Sequence, residues 1–158
     1  MSLKTPTKVT CCSHHVLNDL VRYLMEFRSI KPHEVEAARQ LLLAAGWDRC
    51  VSESSEFSAL LDRSQIKLVA VEQGEVIGFL RAITDGMANG YISMVVVAEH
   101  QRGKGVGKAL VHAAKGENRQ ITWVLRAGRT PGVSEFYQKL GFAKSEVAME
   151  RPGVKAAS

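Results

Sequence analysis

The stretch from Tyr91 to Leu110 constrains the fold more than any other part of the chain. Tyr91-Ile-Ser-Met-Val-Val-Val97 is a continuous apolar run rich in β-branched residues, which predicts a strand buried on both faces. It leads into His100-Gln-Arg-Gly-Lys-Gly-Val-Gly-Lys-Ala-Leu110, with glycines at alternate positions. Val106, Ala109, Leu110, Ala113 and Ala114 then form a helical stripe that Gly116 closes. A strand, a glycine turn and a helix N-terminus in that order make an anion site. Unpaired amides point outward, the helix dipole adds a positive end, and glycines let a ligand approach the backbone. Arg102, Lys104 and Lys108 supply further positive charge.

Two common phosphate loops do not fit. A nucleotide-triphosphate loop needs glycine, four residues, then Gly-Lys-Ser/Thr. Here Gly107-Lys108 is followed by Ala109, and Arg102 holds the place of the first glycine. A dinucleotide fingerprint needs GxGxxG, but Lys108 stands where the third glycine should be. That strand also comes deep in the chain, after a hairpin, instead of opening a βαβ unit.

The rest of the chain supplies a mixed sheet. Phe27 to Ile30 reads as a first strand. Pro32 starts a helix whose apolar face is Val35, Ala38, Leu41, Leu42 and Ala45, closed by Gly46. A second helix covers about 53–62 with Phe57, Leu60 and Leu61 on one side. Ile66–Val71 and Val76–Ile83 are strands joined by a turn at Glu72–Glu75. After the turn-rich loop Thr84–Gly90, the Tyr91–Val97 strand and the glycine turn with its helix comes a strand at Ile121–Leu125. Thr130 and Pro131 read as the N-cap and first residue of a helix ending at Gly141, and a last strand runs from Phe142 through Val147 and Met149. The order β-α-α-β-β-β-α-β-α-β predicts an α/β (α+β) fold. Its central sheet is mixed and mostly antiparallel, of about six strands, with helices on both faces. We expect an N-terminal extension over 1–24, with a short amphipathic helix at 14–24, one domain over 25–151 and a tail over 152–158.

Composition narrows the function classes. An apolar fraction of 46% and a charged fraction of 23% are those of an ordinary globular chain. No apolar run reaches membrane-spanning length, and the N-terminus lacks the order of a secretory signal. The net charge of +5 is weighted toward the C-terminal half and favours an anionic ligand. No basic-aromatic interleaving supports nucleic acid as a partner. Cys11, Cys12 and Cys50 are odd in number and form no CxxC pair, so reduced thiols in a cytoplasmic setting are expected. Their spacing to His14 and His15 fits no metal site.

Arg102-Gly-Lys-Gly-Val-Gly107 matches (Q/R)xxGx(G/A) after a strand and before a helix. This resembles the pyrophosphate-binding motif of the GCN5-related N-acetyltransferase (GNAT) superfamily. Val133-Ser-Glu-Phe-Tyr-Gln-Lys-Leu-Gly-Phe142 resembles that family's FYxxLGF segment, and the element order agrees over about 25–150. One departure is Glu99, at a place where many members carry proline.

The resemblance implies acetyl-coenzyme A as cosubstrate, no metal, and transfer of an acetyl group to a primary amine by direct attack. The amine would belong to a small molecule or to a protein or peptide, and the enzyme would be a monomer or homodimer. In the family the strand matching Tyr91–Val97 splays from its neighbour. That assigns the Val95 backbone to the thioester carbonyl and oxyanion, Val97 to the pantetheine arm, and Val96 to the same segment. Arg102, Gly103, Lys104, Gly105, Val106, Gly107 and Lys108 would hold the pyrophosphate. Tyr137 matches the family tyrosine that protonates the departing thiolate, although Val133, Phe136, Tyr137 and Leu140 share a helical face and a core role is the alternative.

The general base is open. Some members carry a glutamate on the central strand, but Tyr91, Ser93 and Met94 offer no carboxylate. Asp85 is our candidate; Glu135, His100, His112 or a water chain are others. The acceptor pocket would involve the Gly46–Glu53 loop, with Trp47 either facing substrate or packing at the helix end, and the 84–90 loop. The competing reading is an acyl-CoA-binding sensor or interaction module of the same fold without catalysis.

Overall fold

Gln73 and Gly74 both take positive φ, 51° and 83°, the geometry of the tight turns that match strand twist. They fold Ile66–Glu72 (β2) back onto Glu75–Thr84 (β3). In the computed structural model, which describes residues 25–128 and 130–153, this hairpin is the middle of a five-stranded sheet. Met25–Ser29 (β1) pairs antiparallel with β2, and Asn89–Val97 (β4) antiparallel with β3. Thr122–Leu125 (β5) pairs parallel with β4, giving the order β1-β2-β3-β4-β5. The helices are Val35–Ala44 (α1), entered through a 3-10 turn at Pro32–Glu34, then Ser54–Asp62 (α2), Val106–Lys115 (α3) and Val133–Lys139 (α4). The chain divides into two compact units, Met1–Leu125 and Arg126–Ser158.

The sheet of the first unit carries helices on both faces. One face presents Val69, Val71, Val76, Phe79, Met94 and Val96 to Ala38 and Leu42 of α1 and Phe57 and Leu61 of α2. Phe57 meets Phe79 edge to face, with centroids 5.9 Å apart. Both rings are fully buried, each worth about 1.5–3 kcal/mol. Val76 joins this face because Ala70 pairs with Gly78 but Val71 with Val76, leaving Ile77 as an extra residue. On the opposite face α3 lies close. A Cβ on Gly78 would stand 3.1 Å from both Leu110 Cδ1 and Val106 Cγ1.

Gly90 is fixed by a second close approach. It pairs with Trp123 across the β4–β5 ladder, and a Cβ there would lie 2.4 Å from the indole ring. Gly90→Ala should therefore cost about 1–3 kcal/mol, read as a lower thermal midpoint.

Entry to α1 depends on one buried carboxylate. Glu34 accepts from Arg28 Nη1 (2.9 Å), Arg28 Nη2 (2.8 Å) and the Lys31 amide (2.8 Å). The Arg28 guanidinium, its largest influence, holds the Glu34 carboxyl down at about 2. A folded pKa below the unfolded one stabilises fully above the unfolded value, here 4.5, and the gain is lost as pH falls through about 2. Acid melts should show the midpoint dropping through this window. Glu34→Gln should flatten the drop and cost about 1–3 kcal/mol near neutrality.

Two expected features differ. The segment from Phe142 to Met149 forms no strand, so the sheet has five strands and not about six. The Ser145 hydroxyl accepts from the Val147 and Ala148 amides, taking donors that a ladder would need. The side chains that suggested a strand, Val147 and Met149, are 91% and 98% exposed. The last helix starts at Val133 and not at Pro131, because Gly132 takes φ 83° at its N-cap. The helix expected at 14–24 lies outside the described residues. No helix among the described residues is long and apolar enough to cross a membrane.

Candidate active site

The geometry of β4 follows from a single extra residue. Arg81 pairs with Met94 but Ala82 pairs with Ile92, so Ser93 is a bulge. In an extended strand the N–H and C=O of successive residues point alternately to the two neighbours. Before the bulge, the Asn89 carbonyl accepts from Asp85 on the β3 side and the Ala88 carbonyl accepts from Thr122 on the β5 side. After it, the Ala98 amide donates to Ile77 of β3 at 2.8 Å. Val96 and Met94 share its direction, and Val95 and Val97 point the other way. Because β5 ends at Leu125, opposite Ile92, these backbone groups run on past the ladder. The Val97 carbonyl meets Arg102 Nε at 3.4 Å, which places the Arg102 guanidinium against the same edge.

The turn that follows leads to an uncapped helix. Gly103 and Gly105 take φ 77° and 86°, a region costly to residues with a Cβ. Gly105 is the N-cap of α3, with no side-chain cap and no acidic residue in the first turn. The Ala109 amide bonds to the Gly105 carbonyl at 3.0 Å, so Val106, Gly107 and Lys108 precede the first intrahelical donor. Nothing lies within 4 Å of a Cβ built at Gly103 or Gly105, and Arg102, Lys104 and Lys108 are exposed. These amides and cations suit an anion, and the β4 edge suits an extended chain of amide groups. Gln101, buried at 6% exposure, donates from Nε2 to Glu72 Oε2 and so ties the turn to the end of β2.

A family model described as an acetyltransferase (GNAT) domain matches residues 31–158. The chain belongs to the GNAT acetyltransferase family. It is 31% identical to an uncharacterized N-acetyltransferase, ycf52, of Porphyra purpurea, over 77% of this chain and 70% of that one. The ycf52 protein of Pyropia yezoensis matches to the same extent. Among solved structures, Ard1 of Thermoplasma volcanium superposes with a TM-score of 0.67 at 20% identity, over 77% of this chain and 84% of that one. A GNAT-family acetyltransferase of Streptococcus pneumoniae gives 0.63 at 20% identity, over 81% and 98%.

The second GNAT motif lies in the second unit. There Gly141 takes φ 88° and the Phe142 amide reaches back to the Tyr137 carbonyl at 3.1 Å, a left-handed helix ending. The ending brings the Phe142 ring edge-on to Tyr137 at 5.7 Å, with Phe136 at 4.9 Å on the ring as well. That accounts for the FYxxLGF spacing: the glycine reverses the chain and the two flanking aromatics fix the tyrosine. Tyr137 is buried, and burial pushes its phenol above the ordinary value.

The other candidates have environments of their own. Asp85 Oδ1 accepts the amides of Met87 (2.8 Å), Ala88 (2.8 Å) and Asn89 (3.0 Å). These backbone donors, Asn89 first, hold its carboxyl at about 2, so it closes the loop and has little basicity at neutral pH. His100, His112 and Glu135 are exposed. Trp47 packs against the core cluster beside Leu41 and Leu43. Among the described residues no group of three or more His, Cys, Asp or Glu could hold a metal. Sequence reasoning passed over Gln101 and Arg81. The signal for Arg81 was a charged residue inside the apolar run Val76–Ile83.

Proposed function

We propose that the protein is an acetyl-CoA-dependent N-acetyltransferase that acetylates a primary amine by direct attack within a ternary complex. The observation that carries this reading is the Ser93 bulge, which turns the Val95 and Val97 backbone to the open side of β4, just ahead of the uncapped α3. The Val97 backbone and the neighbouring Val96 segment would hold the pantetheine arm. The amides of Gly103–Lys108, with Arg102, Lys104 and Lys108, would hold the pyrophosphate. Acetyl-CoA supplies the activated acyl group and a thiol leaving group.

The chain's own contributions are two. The Val95 amide donates to the thioester carbonyl oxygen and strengthens as negative charge grows there. By the family resemblance, the Tyr137 hydroxyl, kept protonated by burial, would deliver a proton to the departing sulfur. The amine must shed a proton from an ammonium of pKa about 10.4, and we assign that proton to solvent, since Asp85 is committed to its turn. Calorimetric titration with acetyl-CoA and with amine, followed by thiol release on mixing, tests the reading. Both ligands should bind and release should need both. Saturable acetyl-CoA binding with no amine-dependent release would support the non-catalytic module instead.

A further inference from the structure

Arg81 is a buried cation with no carboxylate paired to it among the described residues. It sits on β3 opposite Met94, next to the Ser93 bulge, on the sheet face that packs under α1 and α2. It is 6% exposed, and its side-chain hydrogen bond is Nε to the Ser64 hydroxyl at 2.7 Å. Among the described residues the buried side-chain atoms left without a partner are Gln101 Oε1 and Trp123 Nε1. The two Arg81 Nη groups are not among those sealed, unpartnered atoms. Within electrostatic reach are Cys50, in the α1–α2 loop, and Tyr91, on β4.

A guanidinium does not escape burial by losing its proton, so an unpaired one is costly unless something completes it. Its planar fork of donors fits a carboxylate bidentately. We propose that Arg81 receives a carboxylate on the acceptor, so that the amine this protein acetylates belongs to an amino acid or another carboxylate-bearing amine. The inference rests on the acetyl-transfer reading and adds the acceptor's chemical class. Arg81 pairs with Met94, the residue before Val95, which puts the carboxylate near the proposed thioester site. Arg81 thus sets specificity, and no proton moves through it.

The test compares matched acceptors that differ in the carboxylate alone: phenylalanine against phenethylamine, and lysine against cadaverine. Wild type should favour each amino acid by about tenfold or more in kcat/KM, the worth of a charge-assisted pair. Arg81→Gln should bring both ratios to within about threefold of unity while KM for acetyl-CoA stays unchanged. The amino acid's amine is also the weaker base, so the change in ratio decides, not its absolute size. If Arg81→Gln is too unstable to assay, Arg81→Lys keeps the charge without the fork and should still cut the ratio several-fold. Ratios that survive both substitutions, or rates that fall equally for both members of each pair, overturn the inference and leave acetyl transfer standing. Absence of amine-dependent release across the panel overturns the acetyl-transfer reading, and this inference falls with it.

Discussion

Gly105→Val should weaken acetyl-CoA binding by about hundredfold or more while the protein stays folded. Two effects combine. At φ 86° a β-branched residue is strained by about 1–2 kcal/mol, which shifts the N-cap and misdirects the amides of Val106, Gly107 and Lys108. The new side chain also enters space that is empty within 4 Å, the space we propose for the pyrophosphate. Loss of two charge-assisted hydrogen bonds, at about 1.5–3 kcal/mol each, accounts for that factor at about 1.4 kcal/mol per tenfold. Gly105→Ala separates the terms, because it keeps most of the strain and little of the bulk. Titration calorimetry with CoA should therefore rank wild type above Gly105→Ala, and Gly105→Ala above Gly105→Val. A valine variant that binds like wild type would remove the turn from the site.

The second large effect is expected at Tyr137. Tyr137→Phe keeps the edge contacts to Phe136 and Phe142 and deletes only the hydroxyl. General-acid catalysis is commonly worth about 10²–10⁴-fold, so kcat should fall by about hundredfold or more with acetyl-CoA affinity within about twofold of wild type. Poorer leaving groups need the proton more. An acyl donor whose thiol is more acidic should therefore recover part of the loss in the variant and gain little in wild type. Unchanged turnover would return Tyr137 to the aromatic cluster as a packing residue.

The backbone geometry of the proposed donor site was legible because its determinants are local. Alternate glycines after a β-branched run name a turn and a helix start without reference to any other segment, and the structure places Gly103, Gly105 and α3 where that pattern puts them. The Gln73-Gly74 turn was readable for the same reason. What escaped depends on partners distant in sequence. The Ser93 bulge exists only in the register between β3 and β4; nothing within Tyr91–Val97 marks it, yet it decides which amides are offered. Arg81 stood in the sequence as a charge inside an apolar run, but its burial and its lack of a paired carboxylate among the described residues depend on distant segments. Thr84–Gly90 was readable as a turn from its composition, but that Asp85 itself closes it was not. The supposed last strand was misread because alternation alone ignores Ser145, which claims the amides of Val147 and Ala148.

If, as we propose, the backbone edge of β4 and the α3 turn hold acetyl-CoA for transfer to an amine, thiol release and amine acetylation are one event. The most direct measurement follows free thiol and acetylated amine together, in one reaction containing acetyl-CoA and an excess of a carboxylate-bearing amine. Both products should appear in equal amounts, at a rate that saturates in each substrate and collapses in Gly105→Val. Thiol release at the same rate without amine, or saturating CoA binding with no acetylated product, would contradict it.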